Sequence, residues 1–168
     1  PHAFVTGAQA SDSERDIQVG GVPSVSADLF DTLGGADPLP HGLDYVAAGH
    51  LHRPQDISGA SVPIRYAGSP IAYSFSEAGA TKSITLVTTD ATSVTGIEVV
   101  PIPTLRGIAV LEGTMDELLA DPDEATTASY VSITVTDDAR PERMVARIRD
   151  IYPHALVVVH RPSQAPSL

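Results

Sequence analysis

The chain has 168 residues, 42% of them hydrophobic, and carries a formal net charge of −11. That length supports one domain with a real core or two small units, and so acidic a balance argues against indiscriminate adhesion of the whole chain to nucleic acid, which needs clustered cations. Cysteine is absent, which excludes disulfides and thiolate-bound zinc and leaves nitrogen and oxygen donors suited to manganese, magnesium, iron or zinc.

Pro1 to Thr6 is apolar and reads as the end of a strand, with His2 either a surface residue at a frayed terminus or a ligand joining other histidines. Ser11-Asp12-Ser13-Glu14 has the capping-box pattern and predicts a short helical turn. Ile17 to Val25 predicts a turn into a short extended piece, and Ser26 to Phe30 another helical turn. Gly34-Gly35, Pro38 and Pro40 mark a loop in which His41 faces solvent.

The apolar run Leu43 to Ala48 then leads into Gly49-His50-Leu51-His52. On an extended strand, side chains two apart share a face, so His50 and His52 would project together toward one metal ion or an adjacent pair. On pattern alone, a metal role and a plain hydrogen-bonding role in a loop weigh about equally. Strands follow at Val62–Ala67, Ser83–Thr88 and Ser93–Val100, the last two forming a hairpin around Asp90-Ala91-Thr92. The stiff Pro101-Ile102-Pro103 is the expected boundary, giving units 1–103 and 104–161 and a tail 162–168.

Beyond it the pattern predicts a strand at Arg106–Leu111, a turn Met115–Leu119 capped by Thr114, and an acidic loop at Asp121 to Glu124. A half-buried strand at Tyr130–Val135, a helix Pro141–Tyr152 and a strand Leu156–His160 complete it. This β-α-β-α-β order predicts a small α+β unit with its helices on one face. Met144, Val145, Ile148 and Ile151 make the helix's core stripe, while Arg140, Arg143 and Arg147 would share another face. A solvated face is the default for that row, and a phosphate-contacting row the sharper alternative. Nothing ties His154 or His160 to a metal. No apolar run nears the roughly 20 residues that span a bilayer, and no signal peptide is visible, so a soluble chain is expected.

Several motifs occur here in one order: His2-Ala3-Phe4-Val5-Thr6-Gly7, Ser11-Asp12-Ser13-Glu14-Arg15, Val19-Gly20-Gly21, Asp44 through Gln55, Arg65 through Pro70, and Ser74-Phe75-Ser76-Glu77. The series resembles the bacterial SbcD nuclease subunits of the calcineurin-like metallophosphoesterase superfamily, along almost the whole chain. The resemblance implies an α/β fold: the second half of a calcineurin-like phosphoesterase β-sandwich with flanking helices, followed by a small α+β capping domain that helps position DNA. It implies a two-metal site, usually manganese, with His2 and His50 ligands of one ion and His52 of the other. Two cations hold a hydroxide in line with a phosphodiester and neutralise the departing oxygen.

The function implied is metal-dependent DNA hydrolysis, as exonuclease and as hairpin- or end-processing endonuclease, in a cytoplasmic repair complex. DNA and an SbcC-type ATPase are its partners, a homodimer is a further assembly, and no membrane is involved. The family's Asp-x-His, Gly-Asp-x-x-Asp and Gly-Asn-His-Asp motifs do not occur in this sequence, so the stretch is expected to be inactive, or nearly so, by itself. Two other readings fit the same residues: a calcineurin-like phosphoesterase acting on small phosphoesters, and a non-catalytic docking module with structural histidines.

Overall fold

Short apolar strands separated by glycine and proline bury few residues each, so the chain makes small sheets. In the computed structural model, which describes residues 1–14, 24–33 and 42–163, these sheets belong to two units, Pro1–Pro103 and Thr104–Leu168. The expected loop around Gly34-Gly35, with His41, and most of the Ile17 to Val25 stretch lie outside the described residues.

In the first unit the run before the histidines forms β1 (Val46–Ala48), which pairs in parallel with β3 (Ile64–Tyr66). A strand the sequence pattern did not suggest, β2 (Gln55–Ile57), pairs antiparallel with the other edge of β3, so β3 is central. Alternation carries Val46, Ala48, Ile64 and Tyr66 into a core with Val5, Phe30, Leu51 and Ile57. Each such side chain contributes about 1.5–3 kcal/mol on burial. The amino-terminal segment is held by single parallel bridges, His2 to Gly49 and Val5 to Val25. Tyr66, fully buried, donates its hydroxyl hydrogen to Ala3 O at 2.6 Å and accepts from Val5 N–H at 2.9 Å.

Ala27–Thr32 is a 3-10 turn that buries Ala27 and Phe30, as the Ser26 signal suggested, although Ser26 supplies no cap bond. Ser11 to Glu14 forms a turn, and no helix is seen through Glu14. The hairpin is β4 (Ser83–Thr89) and β5 (Val94–Pro101), antiparallel, with Asp90 Oδ1 accepting from Thr92 N–H and Ser93 N–H to hold its turn. Ile84, Leu86, Val87, Ile97 and Val99 on this two-stranded ribbon stay exposed. Pro101 is the last residue of β5, and Ile102 N–H continues the ladder to Lys82 O at 2.8 Å. The ladder therefore runs into the proline-rich stretch; proline is tolerated because β5 is an edge strand.

The second unit runs β6 (Ile108–Gly113), α1 (Met115–Ala120), α2 (Glu124–Thr127), β7 (Tyr130–Val135), α3 (Met144–Ile151) and β8 (Ala155–His160). Its strands lie in the order β6-β7-β8 and all pair in parallel. Parallel pairing needs crossover helices, so the expected β-α-β-α-β order is built as a parallel βαβ layer. Val131, Ile133 and Val135 are fully buried and pack with Met115, Leu118, Met144 and Ile148 from the helices. Thr114 and Glu117 form a complete capping box at α1. The acidic stretch is a loop through Asp123, which caps α2 by accepting from Thr126 N–H, and Glu124 is the first helical residue.

Helix α3 begins three residues later than Pro141 suggested, because Arg143, at its N-cap, sits at φ 50° in the left-handed region. Only Arg147 of the arginine row is therefore on the helix, and Arg140 and Arg143 precede it. The helical spacing expected to align all three does not apply, although all three are exposed. Among the described residues, no helix is long and apolar enough to cross a membrane.

Candidate metal centre

Strand β1 ends at Ala48, and Gly49 N–H donates to Pro1 O at 2.7 Å, which draws the amino-terminal segment alongside. A side chain at Gly49 would meet His2 Nδ1 at 3.4 Å, so glycine lets the two segments approach closely. The rings of His2 and His50 lie edge to face with centroids 5.0 Å apart.

His50 is not extended. Its φ is +106°, so the expectation that His50 and His52 project together from one strand is corrected: the backbone turns between them. His52 goes elsewhere, its Nδ1 2.6 Å from Ser13 Oγ and its ring 5.1 Å from that of Tyr73. The structure thus brings His2 and His50 together and gives His52 its own surroundings. His50 and Arg143 are the two non-glycine residues with positive φ among those described. Such a conformation costs on the order of 1–3 kcal/mol and persists where surrounding bonds over-determine it.

Those bonds converge on His52. Its N–H donates to Glu14 Oε1 at 2.7 Å, and its carbonyl accepts from Ser69 N–H at 3.0 Å and from Lys82 Nζ at 2.8 Å. Glu14 Oε2 accepts from Ser11 N–H and Oγ. Burial pushes the Glu14 carboxyl up, but these bonds, led by the one from His52 N–H, outweigh it and hold it below the usual carboxylate range. Lys82 forms a buried ion pair with Glu77, whose Oε2 accepts from Tyr73 N–H at 2.8 Å and Ser74 N–H at 3.0 Å. Burial raises the Glu77 carboxyl too, yet the Lys82 bond and these amides leave it lowered. Gly68, at φ +80°, lets the loop after β3 press against His52: a Cβ there would meet His52 O at 2.8 Å.

Among the described residues no group of three or more His, Cys, Asp or Glu is arranged to hold a metal ion. Two imidazoles, His2 and His50, lie side by side here, with His52 nearby in sequence on a separate set of bonds. Sequence reading missed Ser13, Glu14, Tyr73, Glu77 and Lys82. The signal for Ser13, Glu14 and Glu77 was present in Ser-Asp-Ser-Glu and Ser-Phe-Ser-Glu, read as a helix cap and as family marks; Tyr73 and Lys82 lie outside both motifs. His154 packs against Tyr130 and His160 bonds Asp137 O, both within the second unit.

The family model described as SbcD_C, type 5 capsule protein repressor C-terminal domain, matches residues 104–167. Among characterised proteins, the SbcD subunit of nuclease SbcCD from Bacillus subtilis (strain 168) is 51% identical over 86 residues, 51% of this chain and 20% of that protein. Its counterpart from Escherichia coli (strain K12) is 30% identical over 168 residues, 95% of this chain and 39% of that protein. The one from Staphylococcus epidermidis is 28% identical over 94% of this chain. The chain spans between 20% and 39% of the length of these relatives.

Proposed function

This chain is related by sequence to the SbcD subunits of SbcCD nucleases, its last third to their carboxy-terminal domain, and on that premise we propose that it is part of a metal-dependent DNA nuclease. It acts as exonuclease and as hairpin- or end-processing endonuclease, alongside an SbcC-type ATPase. The first unit is then half of a calcineurin-like phosphoesterase sandwich, and the second a cap over DNA.

The observation that carries this reading is the juxtaposition of His2 and His50, 48 positions apart in sequence, with ring centroids 5.0 Å apart. His2 and His50 would hold one divalent ion and His52 a second, manganese being the proposed metal. Bound there, the pair would supply an activated water and neutralise charge on the leaving oxygen.

This chain's own residues prepare the ligands. His52 Nδ1 and Ser13 Oγ are bonded at 2.6 Å; in the tautomer where Nδ1–H donates, Nε2 would keep its lone pair for a metal. The amide and carbonyl of His52 are both held, and its ring is placed by Ser13 Oγ and Tyr73, so less freedom would be lost when it takes up an ion. Arg140, Arg143 and Arg147 are exposed cations proposed to meet DNA phosphates, with Arg143 placed by its own backbone turn. Histidines bind two neighbouring dications poorly without an anionic bridge, so residues 1–168 by themselves are proposed to be nearly inactive.

The test compares cleavage of a hairpin-ended DNA duplex and of a nitrophenyl phosphate ester in manganese, using protein from the complete coding sequence. DNA cleavage lost in His50→Ala supports the reading. Equal turnover of the small ester, or DNA cleavage that survives His50→Ala, overturns it.

A further inference from the structure

The chain has a single lysine, Lys82, against nine arginines, and that lysine is the most deeply buried of its described cations, with a side chain 1% exposed beside a fully buried Glu77. An ion pair taken out of water gains little stability over well-packed apolar residues of the same size. What apolar residues cannot provide is a donor.

All three ammonium hydrogens of Lys82 have acceptors: Glu77 Oε1, Ser69 Oγ at 3.1 Å and His52 O at 2.8 Å. A planar guanidinium cannot point three donors in those tetrahedral directions, which gives a reason for lysine in a chain that otherwise uses arginine. Glu77 already completes a capping box at the 3-10 turn Phe75–Glu77 through its other oxygen, so the turn itself does not require Lys82. We propose that the buried Glu77–Lys82 pair is a positioning device for His52, fixing the carbonyl side of the residue as Glu14 fixes its amide side. The strained turn at His50 is then held from both flanks, by Pro1 O on Gly49 and by this pair on His52.

The inference rests on the metal-site reading for its purpose, but not for its geometry, and one NMR experiment separates the two. The double variant Glu77→Gln/Lys82→Met removes both charges together, so neither is left buried alone. In metal-free protein, ring-to-ring NOEs between His52 and Tyr73 are expected to fall at least about five-fold while those between His2 and His50 persist. Retention of the His52–Tyr73 NOE overturns the proposal, as does equal loss of both. Where the double variant does not fold, Ser69→Ala decides by the same ratio, with a smaller fall expected.

Zinc, a diamagnetic probe whose effect stays local to its ligands, is then titrated into wild type and variant of the protein from the complete coding sequence. A rise of about ten-fold in the concentration that shifts the His52 ring signals, with those of His50 moving less than two-fold, ties the positioning to metal binding. If zinc shifts neither histidine in the wild type while the metal-free NOE result stands, the metal reading fails and the positioning role survives.

Discussion

Replacing Tyr66 by Phe removes one oxygen from a fully buried side chain and leaves the packing of its ring intact. That oxygen donates to Ala3 O at 2.6 Å and accepts from Val5 N–H at 2.9 Å. Both partners belong to buried residues that water does not reach. Burial also raises the Tyr66 hydroxyl above its ordinary pKa, outweighing the lowering bond from Val5, so it stays a neutral donor throughout the physiological range. Each orphaned buried group costs on the order of 1–3 kcal/mol, so with two of them the variant is expected to lose about 2–6 kcal/mol.

With a urea slope of about 1.5 kcal/mol/M, that loss lowers the unfolding midpoint by roughly 1.3–4 M without altering the slope. Tyr73→Phe is the control, because Tyr73 is 61% exposed and should change by less than about 0.5 kcal/mol. Amide exchange at Val5 should accelerate selectively in the Tyr66 variant, since its N–H loses its acceptor. A midpoint within experimental error of wild type would refute the assignment of Tyr66 as the anchor for the segment carrying His2.

Gly68→Ala should cost at least about 2 kcal/mol in the same assay, combining positive φ with a Cβ only 2.8 Å from His52 O and from the Pro54 ring; an effect below about 0.5 kcal/mol would contradict the close approach. Thr114→Ala breaks a reciprocal capping box and is expected to destabilise the second unit by about 1 kcal/mol, read as a lower thermal midpoint there. The Glu14 and Glu77 carboxyls titrate below their unfolded value of roughly 4.3. Their contribution is therefore complete at neutral pH and is lost as pH falls from about 4.3 through the lowered native values. Urea midpoints measured across that window should decline for wild type and decline less for the Glu77→Gln/Lys82→Met variant.

Strands with apolar runs or clean alternation were legible in the sequence: β1, β3, both arms of the hairpin, and β6 to β8. β2 was not, because Gln55-Asp56-Ile57 has one apolar residue and owes its existence to pairing with β3. The start of α3 was misjudged because proline tolerates the first helical turn but does not compel it, and Arg143 takes a left-handed conformation no residue-type rule assigns to arginine. At the site, the pairing of His50 and His52 by strand period failed for the same kind of reason. The residues bonded on either side of the His50 turn, Pro1 at Gly49 and Glu14, Ser69 and Lys82 at His52, are distant in sequence and carry no periodic signal. Spacing also treated Ser11-Asp12-Ser13-Glu14 as a helix start, whereas Glu14 spends one oxygen on Ser11 and the other on His52.

The β4–β5 ribbon has a consequence for handling the protein. Ile84, Leu86 and Val87 on one strand and Ile97 and Val99 on the other meet water, and a β-rich segment of that kind is adhesive toward its own copies. What keeps copies apart in solution is long-range repulsion from the net charge of −11. Colloidal stability would then rest on ionised carboxylates, Glu98 and Asp90 on the ribbon itself among them: salt screens them and acid neutralises them, and in either case association through the ribbon is expected to rise. Light scattering in dilute, low-salt, neutral buffer is expected to show less association than at high salt or low pH.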